Sequence, residues 1–141
     1  MPSPKQAFLM AAILALLLWR VCGAQTARLE NADLTGMHLQ NQQWAHARLG
    51  NAELIETDLT RSDLRGADLS SACLLRANLM NADLRKADLS FANLEGADLR
   101  GAHLDGASLQ MARFNRYTRW PRGFEAEAHG AVRLNVVSSR D

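Results

Sequence analysis

Cysteine is almost missing from this 141-residue chain: Cys22 and Cys73 are the only two. That excludes a disulfide-stapled scaffold and a multi-thiolate zinc site. An excess of charge of one sign is missing too. Sixteen Lys and Arg stand against fifteen Asp and Glu, a net of +1, which excludes a strongly basic nucleic-acid binder on bulk electrostatics. Aromatic residues make up only 6%. No apolar run reaches the roughly 20 residues that a spanning helix needs; Ala7 to Trp19 gives 13. What is present, 48% hydrophobic and 22% charged residues, is the balance of one folded domain rather than of a disordered chain.

The apolar run is preceded by Lys5 and the terminal amine and followed by Cys22-Gly23-Ala24. A positive start, a short apolar stretch and small residues at a cleavage site predict a secretory signal peptide over residues 1–24, cut after Ala24. The alternative is the same segment kept as a membrane anchor. Lipidation at Cys22 is a poorer reading, because Trp19-Arg20-Val21 does not lead suitably into such a cysteine. Removing 24 of the 141 residues leaves 117, with Cys73 as the one remaining thiol.

From Ala27 to Arg116 the chain repeats with a period of five. Leucine recurs at 29, 34, 39 and 49, then as Leu54, Leu59, Leu64, Leu69, Leu74, Leu79, Leu84, Leu89, Leu94, Leu99, Leu104 and Leu109. Trp44 and Phe114 fill the remaining two of the 18 slots. Alanine stands two residues earlier in 14 of them, with Met37, Gln42, Thr57 and Ser62 as the exceptions. Between the two, half the residues are Asp or Asn. Apolar positions five apart would ring a helix, drifting by about 500° per repeat. In a plain strand they would alternate faces. A short extended trio followed by a bend satisfies the pattern: Ala and Leu face inward, and the residue between them faces water. Gly36, Gly66, Gly96, Gly101 and Gly106 take the second bend position, as expected where φ is positive. Repeated bends of one hand make a coil, and stacked coils make a solenoid with a dry, filled interior.

The run ADLSSACLLRANLMNADLRKADLSFANLEGADLRGAHL resembles the pentapeptide-repeat family, whose motif is A(D/N)LXX. The resemblance implies an all-β fold, a right-handed quadrilateral β-helix with four repeats per coil. Eighteen repeats then make about four and a half coils. The expected organisation is a leader over 1–24, a β-helix over 25–116 and a cap and tail over 117–141. Similarity to aromatic tails in that family marks Phe114, Tyr117, Trp120 and Phe124 as the cap over the last coil.

With positions 20 apart as vertical neighbours, Asp63, Asp83 and His103 stack beside Arg65, Arg85 and Asp105. That column reads as a solvated, salt-laced face. His38, His46, His103 and His129 lack ligand spacing, so no metal is expected. Ile55 stacks under Leu75, next to Glu53 and Cys73, and Phe91 under Met111. Ile55 and Leu75 are the candidate contact surface. Trp44 joins them, because the irregular stretch around Gln42 could dock a partner as well as shield an end. No catalytic constellation or phosphate cradle occurs, and no cofactor is expected.

The expected function is a non-catalytic structural or interaction solenoid, exported to the bacterial cell envelope, whose partner is another protein. A homodimer through an open solenoid end is a further expectation, as is membrane contact if the leader is retained. The alternative, carried by the resemblance, is a cytoplasmic mimic of duplex DNA acting on gyrase or another topoisomerase. A net of −3 over Ala27–Arg113, with arginines interleaved, weakens it. No direct nucleic-acid contact is expected.

Overall fold

A computed structural model describes residues 26–135; the proposed cleavage at Ala24 lies outside them. The middle residue of each extended trio pairs in parallel with the one 20 positions later: Arg28 with Arg48, Asp33 with Glu53, His38 with Asp58, Gln43 with Asp63. Four ladders of such bridges rise as four walls. The first carries residues 28, 48, 68, 88 and 108, the second 33, 53, 73, 93 and 113. The third carries 38, 58, 78, 98 and 119, and the fourth 43, 63, 83 and 103. Coils are counted from the bottom: residues 27–46, 47–66, 67–86, 87–106, and a fifth from 107.

Backbone accounting explains the period. In each repeat the leucine amide donates to the next coil, as Leu54 N–H does to Cys73 C=O at 2.8 Å. The middle amide donates to the coil below, and the alanine amide closes the bend, as Ala52 does on Leu49 at 3.0 Å. The second bend residue donates upward again, Glu56 to Leu75 at 2.9 Å. Only the first bend amide finds no backbone acceptor. The Asp or Asn two residues earlier takes it: Ser70 N–H donates to Asp68 at 3.0 Å, Glu95 N–H to Asn93 at 3.0 Å. So the acidic or amide residue does more than face water. It satisfies the one amide that the coil leaves free.

From Asn31 to Met111 every second bend residue is left-handed, and most are not glycine. Twelve non-glycine residues share this conformation, among them Phe91 at φ 61° and Met111 at φ 59°. An L-residue there costs about 1–2 kcal/mol, which the stacked ladders must offset. At Gly66 and Gly101 there is a second reason for glycine: a Cβ would sit 2.6 Å from the His46 ring and 2.2 Å from Asn81 Oδ1.

The inward leucines and alanines form one continuous core. The three hydroxyl residues found in alanine slots among the described residues donate to a leucine carbonyl of the coil below: Thr57 to Leu34 at 2.9 Å, Ser62 to Leu39 at 3.0 Å, Thr118 to Leu94 at 2.8 Å. Trp44 fills its leucine slot and is 1% exposed. This corrects its expected place on a contact surface, because the slot directs any side chain inward.

At the top the period slips. Asp98 bridges Arg119, 21 positions on, and β1 (Arg113–Phe114) pairs in parallel with β2 (Val132–Arg133). Phe114 is buried, the Trp120 ring meets it edge-on at 5.4 Å, and Phe124 stacks on Trp120 at 5.4 Å. Tyr117 instead points outward and is 57% exposed, a correction to its place in the cap. The extra residue in the bend gives the inward slot to Thr118. Among the described residues no helix is long and apolar enough to cross a membrane.

Candidate protein-docking wall

The four walls share one backbone and one core and differ in their outward residues. On three walls the acids are held by neighbouring side chains or amides, although Arg28, Gln43 and His103 on those walls have no side-chain partner among the described residues. On the fourth, Asp63 takes a two-pronged contact from Arg65 at 2.8 and 2.6 Å, and Asp83 an identical one from Arg85. On the third, Arg100 grips Asp98 in the same way, while Thr60 and Gln40 donate to Asp58. On the first, Ser70 closes on Asp68 and Arg48 on Glu30 at 2.7 Å. The guanidinium contacts hold the carboxyls of Asp63, Asp83 and Asp98 below their ordinary range, against the opposing pull of burial. At Asp58 burial pushes the same way, upward, and the Thr60 and Gln40 hydrogen bonds outweigh it.

The second wall differs. Glu53 in the second coil and Arg113 in the fifth are exposed, and neither side chain has a hydrogen bond or ion pair among the described residues; Asp33, in the first coil of the same wall, does have a partner. Cys73, a free thiol, and Asn93 lie half-buried between them. One edge of the wall, the bends at 50–51, 70–71, 90–91 and 110–111, carries Phe91 at 61% and Met111 at 54% exposure. The other edge, the bends at 55–56, 75–76, 95–96 and 115–117, carries half-buried Ile55 and Leu75 and the exposed Tyr117. Val132 tops the wall at 37% exposure. All the exposed large apolar side chains among the described residues therefore border this one wall.

Ile55 and Leu75 stand where the period places them, and the structure adds Tyr117 above them. A pocket of about 660 Å³ opens there between Leu75, Gly96, Tyr117 and the guanidinium groups of Arg76, Arg116 and Arg119. Arg116 lies over the Tyr117 ring at 4.8 Å and donates to its hydroxyl at 2.6 Å. Arg113 and Arg116 fall in register 20 residues after Asn93 and Gly96, whereas Val132 lies past the slip at Tyr117, 19 residues after Arg113, and escapes a reading by period. Among the described residues no group of His, Cys, Asp and Glu is placed to hold a metal.

The family model for pentapeptide repeats matches in 8 copies, over residues 27–66, 47–85 and 82–116. Comparison with curated proteins finds no match. Among solved structures, the chain is similar to Rfr23, a pentapeptide repeat protein from the cyanobacterium Cyanothece, with 36% identity and a TM-score of 0.68, over 72% of this chain and 69% of that one. It is also similar to a pentapeptide repeat protein of the Arabidopsis thaliana thylakoid lumen, with 28% identity and a TM-score of 0.54, over 65% of this chain and 68% of that one. The five-residue period, the four bridged walls and these likenesses agree: the chain belongs to the pentapeptide-repeat family of right-handed quadrilateral β-helices.

Proposed function

We propose that the chain is a non-catalytic interaction scaffold that docks a protein partner on its second wall. The observation that carries this reading is the gathering of Phe91, Met111, Tyr117 and Val132 on one wall and its edges, while the acids of the other three walls are bound by residues of their own chain. Apolar residues held in left-handed bends, where they cost stability, are better explained by a contact than by the fold. The interior is filled with leucine and alanine and leaves no room for a substrate. The Arg65, Arg85 and Arg100 contacts also screen the acidic rows that a duplex mimic would need to display, which argues against the topoisomerase reading.

Export belongs to the same proposal and rests on the leader residues Lys5, Ala7–Trp19 and Cys22-Gly23-Ala24. Intact mass measured on osmotic-shock and cytosolic fractions tests it: a 117-residue species (141 less 24) in the shock fluid is expected, and a full-length species in the cytosol would overturn it. Docking is tested by a photo-crosslinking residue placed at position 91 or at position 63. Adducts from 91 and none from 63 are expected. Equal capture from both walls, or from neither, removes the second wall as the docking surface.

A further inference from the structure

The second wall is self-complementary, and we propose that its occupant is a second copy of this chain, packed wall to wall and upside down. This rests on the docking reading above and names the partner. Consider a two-fold axis lying in the contact plane, perpendicular to the coil axis, and passing between the third and fourth coils, that is, between Cys73 and Asn93. The rotation exchanges the second coil with the fifth and the third with the fourth, and it keeps each edge on the same edge. Such a contact is isologous: every pairing occurs twice.

From the second coil to the fifth the pairings it creates are complementary; at the wall's two ends Asp33 comes opposite Val132, a pairing that adds nothing. Glu53, whose side chain has no partner among the described residues of its own chain, comes opposite Arg113 of the second copy, whose side chain has none either. On the apolar and basic edge, Ile55 and Glu56 meet Tyr117 and Arg116 of the second copy, and Arg76 meets Glu95. Glu56 and Arg76 are joined within one chain at 2.8 Å, yet both are more than half exposed, so exchanging partners costs little. On the other edge, size matches size. Phe91 faces Ser71 of the second copy, and Met111 faces the Gly50-Asn51 bend. No like charges meet among these pairs. An upright arrangement, with the axis along the coil direction, would set Glu53 against Glu53 and Arg113 against Arg113.

Five coils at about 4.8 Å make the wall about 24 Å tall, and its footprint is a few hundred Å² per copy. Standard stable interfaces bury about 800 Å² per partner. The pair therefore belongs to the weak, concentration-dependent class, with a dissociation constant in the micromolar range or above. The apolar edges supply most of the association, and the Glu53–Arg113 contacts set its direction.

Charge reversal tests the arrangement. In sedimentation velocity, the purified chain, in the processed form the cell yields, is expected to shift from monomer to dimer between about 10 µM and about 1 mM. Glu53→Arg alone and Arg113→Glu alone are expected to remain monomeric over that range. Mixed in equal amounts, they are expected to dimerise, because both contacts then join unlike charges. Both side chains are exposed and unpartnered, so each variant should unfold at the same denaturant midpoint as the parent. A parent that stays monomeric throughout, a dimer that survives either single reversal, or a mixture that stays monomeric would each overturn the proposal. Crosslinking at position 91 to some other protein would still support the docking wall in those cases.

Discussion

The second and fourth walls are built on the same ladder, bend and core, and they differ only in what stands outward. On the fourth, arginines two residues after Asp63 and Asp83 fold back on them within the same bend. On the second, Glu53, Cys73, Asn93 and Arg113 follow one another with no such pairing between charges, and the flanking bends carry Ile55, Leu75, Phe91, Met111 and Tyr117. The lesson is that this fold separates two tasks. Inward residues specify the tower, and outward residues are free to vary by wall, so one wall can be closed on itself while another stays open.

The test with the largest effect breaks both walls at once. Leu74 is fully buried in the third coil, with leucines one coil away at 54 and 94. Leu74→Ala should cost about 2–5 kcal/mol, read as a lower midpoint in chemical denaturation. The narrow interior has no second layer that could collapse into the cavity, so a value toward the upper end is expected. Because the core is shared, salt-laced and open walls should unfold in one transition. Two separated transitions would show that the comparison between walls is also a difference in stability.

That shared core is also why so much of the fold was legible in the sequence. A period of five carries its own register, and alanine two residues before each leucine fixes the inward pair. Reading by residue type rather than by register is where expectation and structure part. Trp44 looks like an anchor for a partner but occupies a leucine slot. Tyr117 looks like a cap residue, but Thr118-Arg119-Trp120 repeats the spacing of Thr57-Asp58-Leu59 one position late, which assigns Thr118 and Trp120 to the core and leaves Tyr117 outside. The role of Asp and Asn was visible only in the hydrogen-bond accounting, since nothing in the spacing shows which amide lacks an acceptor. The site was half legible. Ile55, Leu75, Phe91 and Met111 fall into columns when counted in twenties, but the unpaired state of Glu53 and Arg113 depends on side-chain geometry that a repeat pattern does not carry.

A smaller effect sharpens the comparison by separating stability from docking. Phe91 and Lys86 both hold left-handed φ, at 61° and 59°, but Phe91 borders the second wall and Lys86 the bend after the fourth. Glycine relieves the left-handed strain of about 1–2 kcal/mol and adds chain entropy worth about 0.5–1 kcal/mol in the unfolded state. Both Phe91→Gly and Lys86→Gly should therefore stabilise the fold by about 0.5 kcal/mol, measured by thermal melting. Only Phe91→Gly should weaken self-association. Equal losses of association from the two substitutions would mean that the left-handed bends, rather than the phenyl group, matter for pairing.

The smallest effect concerns acid. The Arg65 and Arg85 side chains hold the Asp63 and Asp83 carboxyls below the ordinary value of 3.8, so the folded state binds those protons less readily than the unfolded chain. A depressed folded value contributes stability that is fully present above about pH 4 and is lost as pH falls through the depressed value. Melting temperature should thus change little between pH 7 and 5 on this account and fall below about pH 4. With both aspartates changed to asparagine, the side-chain oxygen still accepts the Arg65 and Arg85 amides, but the proton-linked contribution disappears. The double variant should melt slightly lower than the parent at pH 7, since the arginines are half exposed and such pairs are weak. Its melting temperature should then fall less steeply between about pH 4 and 2. An unchanged slope would place the acid sensitivity elsewhere, with Asp98 and its grip by Arg100 the next carboxyl to replace.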